Sequence, residues 1–113
     1  MRLKSTLLPA EELCLQFKAF GLSFVQEFRF AAPRRWRADF ALPAEKPRLL
    51  VEVEGGIWVQ GRHSRGAGYI SDCKKYNAAV LLGYRVIRVT GEMIRDGSAL
   101  DTVEQLLTIV KEK

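Results

Sequence analysis

Two glutamates stand two residues apart in the run Leu49-Leu50-Val51-Glu52-Val53-Glu54. Side chains alternate across a strand, so Glu52 and Glu54 share one face while Val51 and Val53 take the other. Two like charges this close repel each other unless a cation lies between them. A third carboxylate, Asp39, lies upstream between Ala38 and Phe40. A hairpin through the loop bracketed by Pro43 and Pro47 would place Asp39 beside Glu52. Three hard-oxygen ligands would then converge, a set that suits Mg2+ with a phosphate completing its shell. The bland alternative is a solvated acidic face on an edge strand. Two features weigh against it. Leu49-Leu50-Val51 reads as a central buried strand, where unpaired charge is costly, and Gly55-Gly56 lets a backbone or a phosphate approach its end.

Donors for such a phosphate are close by in sequence. The segment from Trp58 to Gly68 carries Arg62, His63 and Arg65 among glycines, a composition suited to phosphate contact. His63 could also serve as proton donor to a leaving oxygen, although a lone surface histidine is more often inert. The loop lacks the Lys-Ser/Thr ending of a P-loop, which excludes nucleotide hydrolysis of that type. A second basic cluster, Arg34-Arg35-Trp36-Arg37, immediately precedes Asp39. Arginine beside an aromatic can grip a nucleic-acid backbone and stack on an exposed base. The alternative is a solvated turn with Trp36 packed on the domain.

The elements that must position these groups follow from periodicity. Ala10, Leu13, Phe17 and Phe20 recur at helical spacing over Pro9–Phe20, and Gly21 supplies the stop. Phe24 to Phe30 alternates as a strand, with Phe24, Gln26, Phe28 and Phe30 expected on one face. Arg37–Leu42 and Leu49–Glu54 are the second and third strands. Five glycines between 55 and 68 argue against regular helix there. Tyr69–Leu82 turns helical, with Ile70, Cys73, Asn77, Val80 and Leu81 expected on its packed side. Tyr84–Thr90 is a fourth strand, followed by a short helical turn around Met93. Ser98 is the expected N-cap of a last helix striped by Leu100, Val103, Leu106, Leu107 and Val110. The order is helix, three strands, helix, strand, helix, in one α/β domain spanning 1–113.

With those elements in place, Arg37-Ala38-Asp39-Phe40, a short loop, Val51-Glu52-Val53-Glu54-Gly55-Gly56, then a helix and a strand, resembles the PD-(D/E)XK nuclease superfamily. Within it the chain looks most like small phage and archaeal Holliday-junction resolvases and very-short-patch-repair-like endonucleases. The resemblance covers Glu11 to Thr90. It implies a restriction-endonuclease-like core, a mixed central sheet flanked by helices. It also implies a Mg2+-dependent DNA endonuclease in which Mn2+ substitutes. Asp39 matches the metal-binding aspartate and Glu52 the acidic residue of the second half-motif. Glu54 stands where the family usually has lysine. Some branches recruit a lysine from the following helix, which makes Lys75 the candidate and Lys74 the alternative. Asp72 and Lys75, three apart, share a helix face. Glu11 matches a helical glutamate that many members place near the metal, with Glu12 in reserve. Both could equally serve the helix dipole.

Composition sets bounds consistent with that expectation. The 113 residues allow one domain and one modest core, and the net charge of +5 favours a polyanionic partner. Nearly half the residues are apolar, which excludes a disordered tail. Cys14 and Cys73 fit no zinc spacing and read as reduced core thiols. The N-terminal region has no long apolar run, and no stretch reaches the roughly 18 apolar residues of a membrane span. The expectation is a cytoplasmic protein of a bacterial or phage-infected cell. The function classes left open are a junction-selective resolvase, a mismatch or restriction-like nicking enzyme, and a degenerate fold that binds DNA without cutting. Resolving a four-way junction needs two cuts, which favours a homodimer. The last helix, with Ile109 beside its stripe, and the loop around Ile57 and Trp58 are the candidate interfaces.

Overall fold

The computed structural model describes residues 7–55 and 66–111. Helix α1 runs Pro9–Ala19, strands β1, β2 and β3 run Val25–Arg29, Arg37–Leu42 and Leu49–Glu54, and helix α2 runs Gly66–Leu81. Strand β4 follows at Arg85–Thr90, then helices α3 at Gly91–Arg95 and α4 at Ser98–Lys111. The four strands form one sheet in the order β1-β2-β3-β4. The β1–β2 and β2–β3 pairs are antiparallel and β3–β4 is parallel, with α2 as the crossover between them. A parallel pair needs such a long connection, because no tight turn can return the chain in the same direction. This mixed sheet flanked by helices is the fold class expected from the sequence.

Helices cover both faces of the sheet. On one face α1, α3 and α4 enclose Leu13, Phe17, Phe40, Leu42, Leu49, Val51, Ile94 and Val103, all fully buried. Phe17, Phe24 and Phe40 meet edge to face there, with centroids 5.1–5.7 Å apart, the geometry that ring quadrupoles favour. The other face is thinner. Phe30, Ala38, Ala41 and Leu50 pack against Ala79, the buried residue of α2. β3 is buried from Leu49 to Glu52, as its apolar run predicts for a central strand. Helices α1 and α2 end the same way. Gly21 and Gly83 adopt positive φ (69° and 96°), and the next amides, of Leu22 and Tyr84, reach back to the carbonyls of Phe17 and Ala79. A left-handed residue at that position is what closes such a motif.

Several expectations need correction. Phe24, Gln26, Phe28 and Phe30 do not share a face: Phe24 packs with Phe17 and Phe40, whereas Phe28 and Phe30 meet Tyr84 on the opposite side. Glu27 adopts φ 52° and breaks the alternation between them. The register of β1 on β2 places Glu27 opposite Asp39, so the interruption lies next to the acidic cluster. The glycine-rich segment does not stay irregular to its end, because α2 already begins at Gly66. Its packed side is not the expected one. Ile70, Val80 and Leu81 are 53%, 62% and 87% exposed and Cys73 is exposed, so Cys73 is no core thiol. Cys14 does pack beside the core. Ser98 is the first residue of α4 and not its cap; its amide donates to Asp96 Oδ1 at 2.8 Å. Leu106 and Leu107 pack on the chain's own core and Val110 is buried. Ile109, also named for a possible interface, stays 40% exposed on α4. Ile57 and Trp58 lie outside the described residues. Among those described, no helix is long and apolar enough to cross a membrane.

Candidate active site

The β2–β3 register pairs Phe40 with Val51, and its continuation sets Asp39 opposite Glu52. There the two strands stop exchanging ladder bonds. Asp39 Oδ2 instead accepts the Val53 amide at 2.7 Å. The carboxylate thus satisfies a backbone donor that a parting strand would leave unpaired. On the α2 side, Glu52 is only 8% exposed. Burial pushes its carboxyl above the usual value, and the nearby charges of Asp39 and Glu54 add to the rise. Lys75 of α2 opposes it, with Nζ 2.9 Å from Glu52 Oε2. Both side chains of this pair are largely shielded, 16% and 11% exposed. Lys74, the alternative, is exposed.

The structure brings Asp39, Glu52 and Lys75 together. Glu54 lies on the same face as Glu52, but its Oε2 accepts from Arg88 Nε at 2.9 Å. Among the described residues, no three His, Cys, Asp or Glu side chains are gathered as a metal cage. The donor set that fits a hard divalent cation is therefore the pair Asp39 and Glu52. Each has one oxygen engaged, by Val53 or Lys75, and a second oxygen as a further donor. Glu11 is exposed and turns its carboxylate onto its own helix start, accepting the Leu8 amide at 3.1 Å. This is the helix-terminal role weighed for it. Arg62, His63 and Arg65 lie outside the described residues.

Arg34, Arg35 and Arg37 are exposed on and beside the β1–β2 turn. The Arg34 guanidinium sits 4.4 Å from the Trp36 ring, and Phe30 stacks on Trp36 at 6.5 Å with planes 19° apart. Trp36 is half-buried, in contact with Arg34 and Phe30 and packed beside the smaller core cluster, the second of the two arrangements weighed for it. Arg37 faces Glu27 at 3.5 Å, a pair more than half exposed. Two residues escaped the sequence reading, Arg88 and Tyr76. The Arg88 guanidinium lies 4.6 Å from the Tyr76 ring and Lys75 Nζ 5.6 Å from it. Burial, then the charges of Glu52 and Glu54, raise the Tyr76 phenol well above its ordinary value, so it stays neutral. One signal was legible: an arginine interrupts the apolar strand Val86-Ile87-Arg88-Val89.

A scan against protein-family models gave no match, and a search of curated proteins gave none either. Among solved structures, the catalytic domain of the homing endonuclease I-Bth0305I is similar, with a TM-score of 0.61 and 18% sequence identity. The match covers 91% of this chain and 92% of that one. The chain has the fold of that domain across nearly its whole length.

Proposed function

We propose that the protein is a metal-dependent endonuclease that hydrolyses DNA phosphodiester bonds at the Asp39–Glu52–Lys75 cluster. The observation that carries this reading is the buried Glu52 held at 2.9 Å by Lys75 beside Asp39, on a fold shared with a nuclease catalytic domain. Asp39 and Glu52 would hold Mg2+, or Mn2+ in its place. When bound, that ion supplies positive charge to an oxygen of the phosphate under attack. Lys75 fixes the orientation of Glu52 and favours its ionised form, opposing the effect of burial. Its ammonium has three donors, and those not used by Glu52 can serve the attacking water or a phosphate oxygen. Basic side chains at Arg34, Arg35, Arg37, Arg62, His63 and Arg65 would contact the sugar–phosphate backbone.

Two substrate readings follow. The sequence resemblance favours a four-way junction, cut by a homodimer that places one cluster on each of two symmetry-related strands. The fold shared with a homing endonuclease catalytic domain fits equally well with the other reading, a nicking endonuclease that cuts duplex DNA. Purified protein incubated with a four-way junction and with linear duplex, each in Mg2+ and in EDTA, decides between them. Cleavage of either substrate that EDTA abolishes supports the proposal. No cleavage of either, with Mg2+ or Mn2+, leaves a DNA-binding module.

A further inference from the structure

We infer that Arg88 grips a phosphate of the bound DNA, and that Glu54 acts as its positioning residue. This rests on the nuclease reading above and assigns Glu54 away from the metal. The β3–β4 register makes Arg88 the neighbour of Glu52. Paired residues of adjacent strands project to the same side, so Arg88 leaves the sheet on the face that carries Glu52 and Glu54. Its Nε is fixed by Glu54 Oε2 at 2.9 Å, and its plane rests 4.6 Å from the Tyr76 ring. These two contacts hold a flexible side chain in one orientation. Nε carries one of the five guanidinium N–H donors, and the other four lie on the two terminal nitrogens. That fork matches two oxygens of a phosphate.

Exposure separates the partners. The Arg88 side chain is 51% exposed, whereas Glu54 is 25% exposed. The cation is thus presented to solvent while its carboxylate anchor sits behind it. An ion pair meant only for stability gains little at such exposure. A cation held on a ring and a carboxylate, on the same sheet face as a candidate hydrolytic cluster, is instead placed to receive an anion.

The test pairs binding with cleavage. Affinity for a short duplex and for a four-way junction is measured in EDTA across a salt series, by fluorescence anisotropy. Arg88→Ala should weaken binding about tenfold and flatten the dependence of log affinity on log salt by about one phosphate contact. Arg88→Lys should keep the wild-type slope, because it keeps the charge, yet cut DNA more slowly. In cleavage, Glu54→Ala should lose about as much rate as Arg88→Ala, and the double variant no more than either. Glu54→Gln, whose amide oxygen can still accept from Nε, should recover part of the loss. If Arg88→Ala is unfolded by circular dichroism, Arg88→Gln carries the same binding test. An unchanged salt slope in the folded neutral variant overturns the inference. So does equal loss by Glu54→Gln and Glu54→Ala with a raised Mg2+ requirement, which would make Glu54 a metal ligand. If the wild type binds DNA but cuts none, the nuclease reading fails while the slope still decides Arg88. Absence of wild-type binding overturns both.

Discussion

Replacing Lys75 by Met keeps an apolar stem between α2 and the sheet and removes the charge that faces Glu52. Glu52 is then a buried carboxylate without its cation, and it can escape by taking up a proton. That escape sets a ceiling on the loss. From an unperturbed value of 4.5, keeping the group protonated costs about 3.4 kcal/mol at pH 7 and about 0.7 kcal/mol at pH 5. The sign follows from linkage. The folded-state pKa of Glu52 already lies above the unfolded one, so the native state holds the proton more tightly and stability falls as pH rises through that window. Loss of Lys75 lifts the folded value further and widens the window upward, because Lys75 is the main group lowering it. Lys75→Met should therefore be destabilised by up to about 3 kcal/mol near neutrality and by less than about 1 kcal/mol at pH 5. Urea unfolding of both proteins at the two pH values reads this directly, provided the slopes with denaturant agree. An equal loss at both pH values would refute the reasoning, since it would mean that only the lysine stem matters.

Asp39→Asn and Glu52→Gln should each abolish Mg2+-dependent cleavage while largely preserving DNA binding; full activity of either variant in a gel assay would remove the site assignment. Asp39→Ala should also lose about 1 kcal/mol of stability, because the Val53 amide loses its acceptor, whereas Asn can still accept; chemical denaturation compares the two. Lys75→Ala should slow cleavage far more than Lys74→Ala, and equal single-turnover rates would contradict a special role for Lys75. The protein should sediment as a dimer at micromolar concentration, and a strict monomer with and without junction DNA would sink that proposal.

Much of the fold was legible because it depends on local pattern. β3 begins and ends at Leu49 and Glu54, as its run of apolar residues and the following glycines predict. The alternation that puts Glu52 and Glu54 on one face and Val51 in the core is a property of any strand. The hairpin that sets Asp39 opposite Glu52 follows from the loop between the two prolines. The faces of β1 and α2 were not legible. A single residue at positive φ, Glu27, reverses which side Phe28 and Phe30 take, and no periodicity encodes that reversal. Helix α2 turns Lys75, Tyr76 and Ala79 inward and leaves its larger apolar side chains outside. Hydrophobicity alone would orient it the other way.

The sequence by itself determined which charges are available and in what order the elements come. It placed the three candidate carboxylates Asp39, Glu52 and Glu54 within a stretch of sixteen residues, and two candidate lysines on the next helix. Only the tertiary structure decided how those charges pair. Lys75 reaches Glu52 because α2 crosses over the sheet to connect two parallel strands. Arg88 takes Glu54 because that parallel register sets β4 beside β3. Periodicity reports the face of an element but not its neighbour, whereas ion pairing depends on distances between segments far apart in the chain. Charges in the sequence are therefore only candidates until the crossover fixes which of them meet.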